Sequence, residues 1–185
     1  EEDDWLVFDG GNTHFWSEIA VNISGWNGKK LGGILHPGNF SLLGVGVSFG
    51  ISAKNLFPEK NVVVISGDGA FLSGGLSIEA AFQENLPITV VIDNNGGLDC
   101  ISQQQERLFL NGKHFATDFR EIPFHSMFEG LGGYGELVTK REEIGAALRR
   151  AIKSGKTACI NVKCKGVISP IVAATSDKRD KASIE

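Results

Sequence analysis

Apolar runs alternate along the chain with segments of helical periodicity. The two clearest runs, residues 61–66 and 87–93, are rich in β-branched side chains and bounded by glycine or proline, which is typical of strands. Shorter runs at residues 5–8, 134–138 and 158–162 predict further strands. Because the clearest runs are apolar on both faces, they favour central strands of a parallel sheet.

Helices are predicted between these strands, at residues 12–22, 42–54, 77–85, 123–129 and 140–154. Residues 24–40 are rich in glycine and are expected to be irregular, and residues 98–120 give no clear pattern. Alternating strands and helices imply an α/β fold, with a parallel sheet of about five or six strands and helices on both faces. We expect one domain over residues 1–170 and a polar C-terminal tail over residues 171–185.

Composition narrows the class of protein. With 42% hydrophobic and 22% charged among 185 residues, the chain suits one packed domain. A formal net charge of -4 disfavours nucleic-acid binding, and no apolar run reaches the roughly 18–20 residues of a membrane span. Three cysteines without paired spacing favour a cytoplasmic location. The sole methionine, Met127, suggests a domain of a longer protein.

Candidate chemistry follows the two clearest strands. Asp68 comes directly after one and Asn95 after the other, and ligands of parallel sheets bind at the carboxyl ends of strands. Asp68, Asn95 and a backbone carbonyl near Gly97 offer oxygen ligands for Mg²⁺ or Ca²⁺. Gly67 and Gly69 allow backbone N–H groups to approach phosphate oxygens. These loops predict a phosphorylated ligand bound through a divalent cation, with Asp68 at a solvent-facing strand end.

Other chemical groups give weaker signals. The four histidines, at positions 14, 36, 114 and 125, are not at metal-binding spacing and are expected in packing or at the surface. Asp118 and Glu121 could serve as acid–base groups, although a solvated loop is favoured. Neither a dinucleotide-binding fingerprint nor a phosphate-binding P-loop is present.

The glycine and asparagine motifs resemble those of a known family. Gly67-Asp68-Gly69, followed after 24 residues by Asn94-Asn95, resembles the diphosphate-and-metal motif of thiamine diphosphate enzymes. The resemblance covers residues 5–162 and is to the C-terminal, diphosphate-binding domain of the acetolactate synthase-like branch. It implies thiamine diphosphate and Mg²⁺ as cofactors, and it implies that Asp68, Asn95 and the carbonyl of Gly97 are the metal ligands.

The same resemblance implies roles around the rest of the cofactor. Backbone N–H groups of Gly69 and Ala70 would face the diphosphate. Asn12 and Thr13 would place polar side chains at the diphosphate, and the carbonyl of Ser41 would accept from the aminopyrimidine. Leu43 would be the wedge between the two rings of the cofactor. Leu98 would begin a lid-like segment.

Departures from the family pattern bear on the substrate. Leu43 stands where synthases often carry methionine, and Gln104 stands where acetolactate synthases carry a substrate-side tryptophan. Asp99 and Ser102 are also more polar than the pattern. The resemblance therefore implies a decarboxylase or carboligase, a lyase or transferase that makes or breaks a C–C bond next to a carbonyl. Its substrate would be a different 2-oxo acid, an acyl-CoA or a diketone.

Partners are also implied by the family. The catalytic glutamate belongs to a pyrimidine-binding domain, in the same protein or a partner subunit, and lies outside this chain. We therefore expect no catalytic residue here, no activity of the chain alone, and assembly as a homodimer or homotetramer. Two alternatives stay open: a complete small subunit of a two-chain 2-oxo acid decarboxylase, and an inert phosphate-binding module. The intact pair Asp68 and Asn95 argues against the module.

Overall fold

Six parallel strands form one sheet in a computed structural model that describes residues 3–26, 28, 30–108 and 112–174. The strands lie in the order β2-β1-β3-β4-β6-β5. Their bounds are β1 Trp5–Asp9, β2 Gly33–Leu35, β3 Val62–Gly67, β4 Thr89–Asn94, β5 Tyr134–Val138 and β6 Ala158–Lys163. The predicted α/β class with a parallel sheet is confirmed.

Seven helices connect or flank these strands within the described residues. They are α1 Asn12–Trp26, α2 Gly46–Leu56, α3 Asp68–Gly74, α4 Ile78–Gln83, α5 Asp99–Leu108, α6 Phe124–Gly130 and α7 Ile144–Lys153. Short 3₁₀ turns lie at Gly38–Phe40, Gly75–Ser77 and Arg141–Glu143. In this part of the chain no helix is long and apolar enough to cross a membrane.

Both faces of the sheet are covered by apolar packing. Along β6, Cys159 belongs to the larger cluster with α2, α4 and α6, whereas its neighbour Ile160 packs on the other face against α7. Successive side chains of a strand point to opposite faces, so this alternation identifies β6 as a strand buried on both sides. The runs of apolar residues in β3 and β4 have the same cause.

Three elements differ from the sequence-based prediction. β2 lies inside residues 24–40, which were expected to be irregular. It approaches β1 because Gly33 carries no side chain, and a Cβ there would lie 2.4 Å from the Trp5 ring. α2 begins at Gly46 instead of residue 42, and α3 occupies a stretch predicted as a loop.

The C-terminal end of the described chain is packed onto the domain. Residues 170–174 form a helical turn, and Val172 is 3% exposed. Residues 175–185, most of the predicted polar tail, lie outside the described residues. The boundary at residue 170 therefore stays a prediction.

Candidate functional site

A cavity of about 270 Å³ opens at the carboxyl ends of β1, β3 and β4. Its walls come from the residues that follow these three strands, together with two residues of the loop before α2. All residues predicted to bind the cofactor line this single cavity: Asn12, Thr13, Ser41, Leu43, Gly67, Asp68, Gly69, Ala70, Asn95, Gly97 and Leu98. The strand order explains the convergence, because β1, β3 and β4 are adjacent in the sheet.

Asp68 is the buried carboxylate of the cavity. Its Oδ2 accepts hydrogen bonds from the N–H groups of Gly96 at 2.7 Å and Gly97 at 3.1 Å, and Oδ1 accepts from Gly69 at 2.7 Å. The side chain is 2% exposed, so the expectation of a solvent-facing position was wrong. Burial raises the pKa of Asp68 to about 6, against the opposing effect of these three hydrogen bonds.

Two further residues beside Asp68 carry oxygen atoms that could bind a metal: Asn95 through its side-chain amide and Gly97 through its backbone carbonyl. The Oδ1 of Asn95 accepts from the N–H of Gly97 at 3.2 Å. Gly97 pairs in an antiparallel bridge with Asp118, which fixes the backbone of this loop. Each carboxylate oxygen has more than one acceptor direction, so Asp68 can keep its backbone bonds and still bind a cation. Carboxylate, amide and carbonyl oxygens together fit a hard divalent cation such as Mg²⁺.

Glycines keep the floor of the cavity open. A Cβ on Gly69 would lie 2.4 Å from Cδ2 of Leu98. Gly10 has φ +125 and faces the backbone of Gly67. A Cβ on Gly10 would lie 3.2 Å from the backbone nitrogen of Gly67. A side chain at Gly10 would be strained, and one at Gly69 would force Leu98 to move.

Polar side chains after β1 are already held by partners. The hydroxyl of Thr13 donates to Oδ2 of Asp93 at 2.7 Å, and Cys164 donates to the other oxygen of Asp93. Asn12 donates through Nδ2 to Gln103 at 2.9 Å. Thr13 has one proton and Asn12 has two on its amide nitrogen. Asn12 can therefore add a contact to a ligand, whereas Thr13 would have to exchange its bond to Asp93.

Asp9 ties the loop before α2 to the end of β1. Its Oδ2 accepts from the N–H of Gly46 at 2.7 Å, and both oxygens lie within 3.2 Å of the N–H of Gly44. Asp9 is 1% exposed, and burial raises its pKa. Sequence reasoning missed this anchor, although a carboxylate at the last position of a buried strand was an available signal.

The anchored loop presents Ser41 and Leu43 to the cavity. Ser41 has φ +49, a left-handed conformation that few residues other than glycine adopt. Leu43 is 40% exposed. Ser41 and Leu43 thus both stand on the cavity wall.

The acid–base candidates lie outside the cavity. Asp118 contacts Nε2 of His114 at 3.0 Å, and Glu106 contacts Nδ1 of the same ring at 2.7 Å. These hydrogen bonds raise the pKa of His114. Glu121 pairs with Lys163 at 2.6 Å, which lowers the pKa of Glu121. Both carboxylates therefore have structural partners in the described chain.

Comparison with known proteins agrees with this geometry. Residues 9–162 match the family described as thiamine pyrophosphate enzyme, C-terminal TPP binding domain. The chain is 34% identical over 129 residues to a probable acetolactate synthase of Mycobacterium bovis, covering 69% of this chain and 23% of that protein.

Two further relatives carry other names. An oxalyl-CoA decarboxylase of Escherichia coli is 32% identical over 179 residues, which is 95% of this chain and 29% of the relative. A 2-hydroxyacyl-CoA lyase of Oryza sativa is 30% identical over 150 residues, which is 78% of this chain and 25% of the relative. The chain thus spans about a quarter of the length of the curated relatives it matches.

Proposed function

The chain belongs to the thiamine pyrophosphate enzyme family as its C-terminal TPP-binding domain, and we propose that it holds the diphosphate through Mg²⁺. The enzyme it serves makes or breaks a C–C bond next to a carbonyl. The observation that carries the proposal is the meeting of Asp68, Asn95 and Gly97 in one cavity. Three oxygens of this kind suit Mg²⁺ and leave positions for phosphate oxygens.

Each wall of the cavity has a task in this proposal. Asp68, Asn95 and the Gly97 carbonyl hold the metal, while the N–H of Ala70 meets the diphosphate. The N–H of Gly69 now donates to Asp68 and would have to exchange that bond to reach the diphosphate. The side-chain amide of Asn12 adds a donor, with Thr13 beside it. The carbonyl of Ser41 accepts from the aminopyrimidine, Leu43 keeps the two rings apart, and Leu98 closes the side towards α5. Thiamine diphosphate, when bound, supplies a carbon nucleophile and stabilises the carbanion formed next to a carbonyl.

A second domain completes the site. The cavity of about 270 Å³ lies just below the roughly 300–1,000 Å³ of small-molecule pockets, which suits half of a shared site. Two large apolar side chains next to the lining residues Ser41 and Leu43 are exposed, Phe40 at 95% and Leu42 at 61%. We assign this face to the pyrimidine-binding domain, from the same protein or a partner subunit of a homodimer or homotetramer, which brings the catalytic glutamate.

The proposed substrate class rests on the relatives, with Asp99 as a polar residue in a mostly apolar lining. Asp99 and Cys100 line the cavity beside the cofactor residues. Relatives named for oxalyl-CoA and 2-hydroxyacyl-CoA match at similar identity to the acetolactate synthase. We therefore propose an acyl-CoA or 2-oxo acid substrate. Three free cysteines, Cys100, Cys159 and Cys164, support a reducing compartment, and we propose the cytoplasm.

Calorimetric titration with thiamine diphosphate tests the proposal. Binding is expected in the presence of Mg²⁺ and not in the presence of EDTA. Asp68→Asn should abolish the Mg²⁺-dependent binding of thiamine diphosphate. The amide oxygen still accepts a hydrogen bond from the loop, but the negative charge that holds the cation is gone. Asp3→Asn, at a side chain that is 62% exposed, is the matched control. Equal binding by wild type and Asp68→Asn would contradict the metal assignment.

A further inference from the structure

The β1–α1–β2 crossover brings together three side chains that are separated in sequence. His14 and Glu18 lie one turn apart on α1, and His36 directly follows β2. The strands β1 and β2 are parallel neighbours, so the start of α1 and the end of β2 lie at the same edge of the sheet. We propose that His14, Glu18 and His36 bind a divalent transition-metal ion of the Zn²⁺ class.

The ligand atoms are already close to the required separation. Nε2 of His14 lies 3.0 Å from Oε1 of Glu18, and Nδ1 of His36 lies 3.8 Å from the same oxygen. All three atoms fall within 4.8 Å of one another. Ligand atoms around a tetrahedral zinc, at about 2.0–2.2 Å from the metal, are about 3.3 Å apart. Side-chain rotations that move the ligand atoms by about 1–2 Å would bring all three to bonding distance of one ion.

The two imidazole rings also have suitable relative positions. Their centroids are 5.1 Å apart, with an interplanar angle of 42°. Two rings that share one zinc at Zn–N distances of about 2.0–2.1 Å have centroids about 5 Å apart. One oxygen of Glu18 also contacts a nitrogen of each ring. Simple packing of two histidine rings does not require such a shared carboxylate, whereas the proposed metal site does.

The rings are held in place by their own surroundings. His14 is 7% exposed and packs against Phe8 and Phe15. Nδ1 of His36 accepts from the N–H of Gly38 at 3.2 Å. An accepting ring nitrogen carries no proton, so the nitrogen that faces Glu18 is in the form that binds metals. An ion would replace this long, exposed hydrogen bond.

The donor set distinguishes this site from the one at Asp68. Two nitrogens and one carboxylate suit Zn²⁺ or a neighbouring transition metal, with a fourth position for water, whereas Mg²⁺ prefers oxygen. His114 makes a useful contrast, because its two carboxylate partners contact opposite nitrogens of the ring. Those groups cannot surround one ion, although the residue types are similar.

Metal at this site would stiffen the wall of the cofactor cavity. His14 lines that cavity, and the segment from His36 leads directly to Ser41, which also lines it. An ion shared by His14, Glu18 and His36 would join α1 to this segment. The three proposed ligands do not include Asp68, Asn95 or Gly97, so the site can be tested without the diphosphate or its Mg²⁺.

Titration of the protein with Co²⁺ and Zn²⁺, in excess Mg²⁺ and without thiamine diphosphate, tests the proposal. One equivalent is expected, with the visible absorption of Co²⁺ bound by nitrogen and oxygen ligands. His36→Ala and Glu18→Gln should each weaken binding by at least the about 10–100-fold that loss of an outer-shell partner costs. Both residues are more exposed than His14, so these variants should fold.

His125→Ala is the matched control, since this histidine lies on α6 and its ring contacts Asn161. Thermal unfolding gives a second readout, because Zn²⁺ should raise the midpoint of wild type and His125→Ala but not of His36→Ala. The proposal is overturned if no equivalent binds, or if His36→Ala and Glu18→Gln bind as wild type does. Loss of binding in Asp68→Asn or Cys164→Ser alone would likewise overturn it, because the ion would then lie elsewhere.

Discussion

The carboxylate of Asp9 accepts a 2.7 Å hydrogen bond from the N–H of Gly46, and this bond joins the end of β1 to the first turn of α2. Asp9→Ala leaves the buried N–H of Gly46 and the half-buried N–H of Gly44 without this acceptor, and an unsatisfied buried group costs about 1–3 kcal/mol. We expect a lower free energy of unfolding by about that amount and weaker cofactor binding. Denaturant unfolding measures the first and calorimetry the second.

The exposed Glu79 on α4 offers a control for Asp9. Glu79→Ala should change the free energy of unfolding by no more than about 0.5 kcal/mol, as surface substitutions usually do. If Asp9→Ala behaved in the same way as Glu79→Ala, the loop before α2 would be held by other contacts.

Asp68→Ala should affect both metal binding and folding. Its carboxylate accepts hydrogen bonds from three backbone N–H groups beside the cavity. Alanine therefore removes the proposed metal ligand and leaves these three N–H groups without their acceptor. We expect loss of Mg²⁺-dependent cofactor binding together with a lower free energy of unfolding. Asp68→Asn should lose the binding at a smaller cost in stability. A variant that loses neither would show that the cation binds at other residues.

Leu43→Ala should reduce turnover more than cofactor affinity. A wedge that sets the angle between two rings aligns reacting atoms, and misplacement of such atoms is costly. Steady-state kinetics of the assembled enzyme at varied cofactor concentration separates kcat from affinity. Leu56→Ala, at a 72% exposed position at the end of α2, should change neither. An equal loss of affinity with unchanged kcat would identify Leu43 as a packing residue.

His114 predicts a pH dependence of stability. Glu106 and Asp118 raise its pKa, so the protonated ring stabilises the fold. This contribution is fully present below the ordinary pKa of about 6.5 and is lost as pH rises through the raised pKa of the folded state. Unfolding measured from acidic to alkaline pH should show this loss in wild type and not in His114→Gln. His125→Gln should keep the wild-type profile.

The isolated chain should fold without catalysing. Its sheet has helices on both faces, but the catalytic glutamate is proposed to come from another domain. Incubation with thiamine diphosphate, Mg²⁺ and 2-oxo acids or acyl-CoA substrates should release no carbon dioxide above a cofactor-only control. Activity that appears on addition of the pyrimidine-binding domain would support a shared site, whereas activity of the chain alone would refute it.

Much of the fold could be predicted from local patterns. The β-branched runs of β3 and β4 and the bounded run of β5 gave strands close to those observed. The residues that directly follow β3 and β4, Asp68 and Asn95, were placed together because parallel neighbours carry their loops at one edge. Short or polar elements were harder. β2 has three residues beside glycines, and α5 includes three consecutive glutamines that give no strong apolar stripe.

Contacts between distant segments could not be read from spacing. The pair His14 and His36 depends on how β2 docks beside β1, and the bond from Asp9 to Gly46 depends on where α2 begins. Burial of Asp68 depends on the loop that folds back over it from β4. Each arises from tertiary packing, which local sequence patterns do not encode.

The order of strands in the sheet bears on how the molecule reaches its native state. Trp5 lies opposite Val62, and Thr89 lies opposite Ala158, so the central pairs join segments far apart along the chain. Folding rates fall as contacting residues become more distant in sequence. The cavity draws on the ends of β1, β3 and β4, and no short fragment contains all three. Cofactor binding would therefore report on chains that have joined these three strands, and the cofactor would select them from chains in which the three are not yet paired.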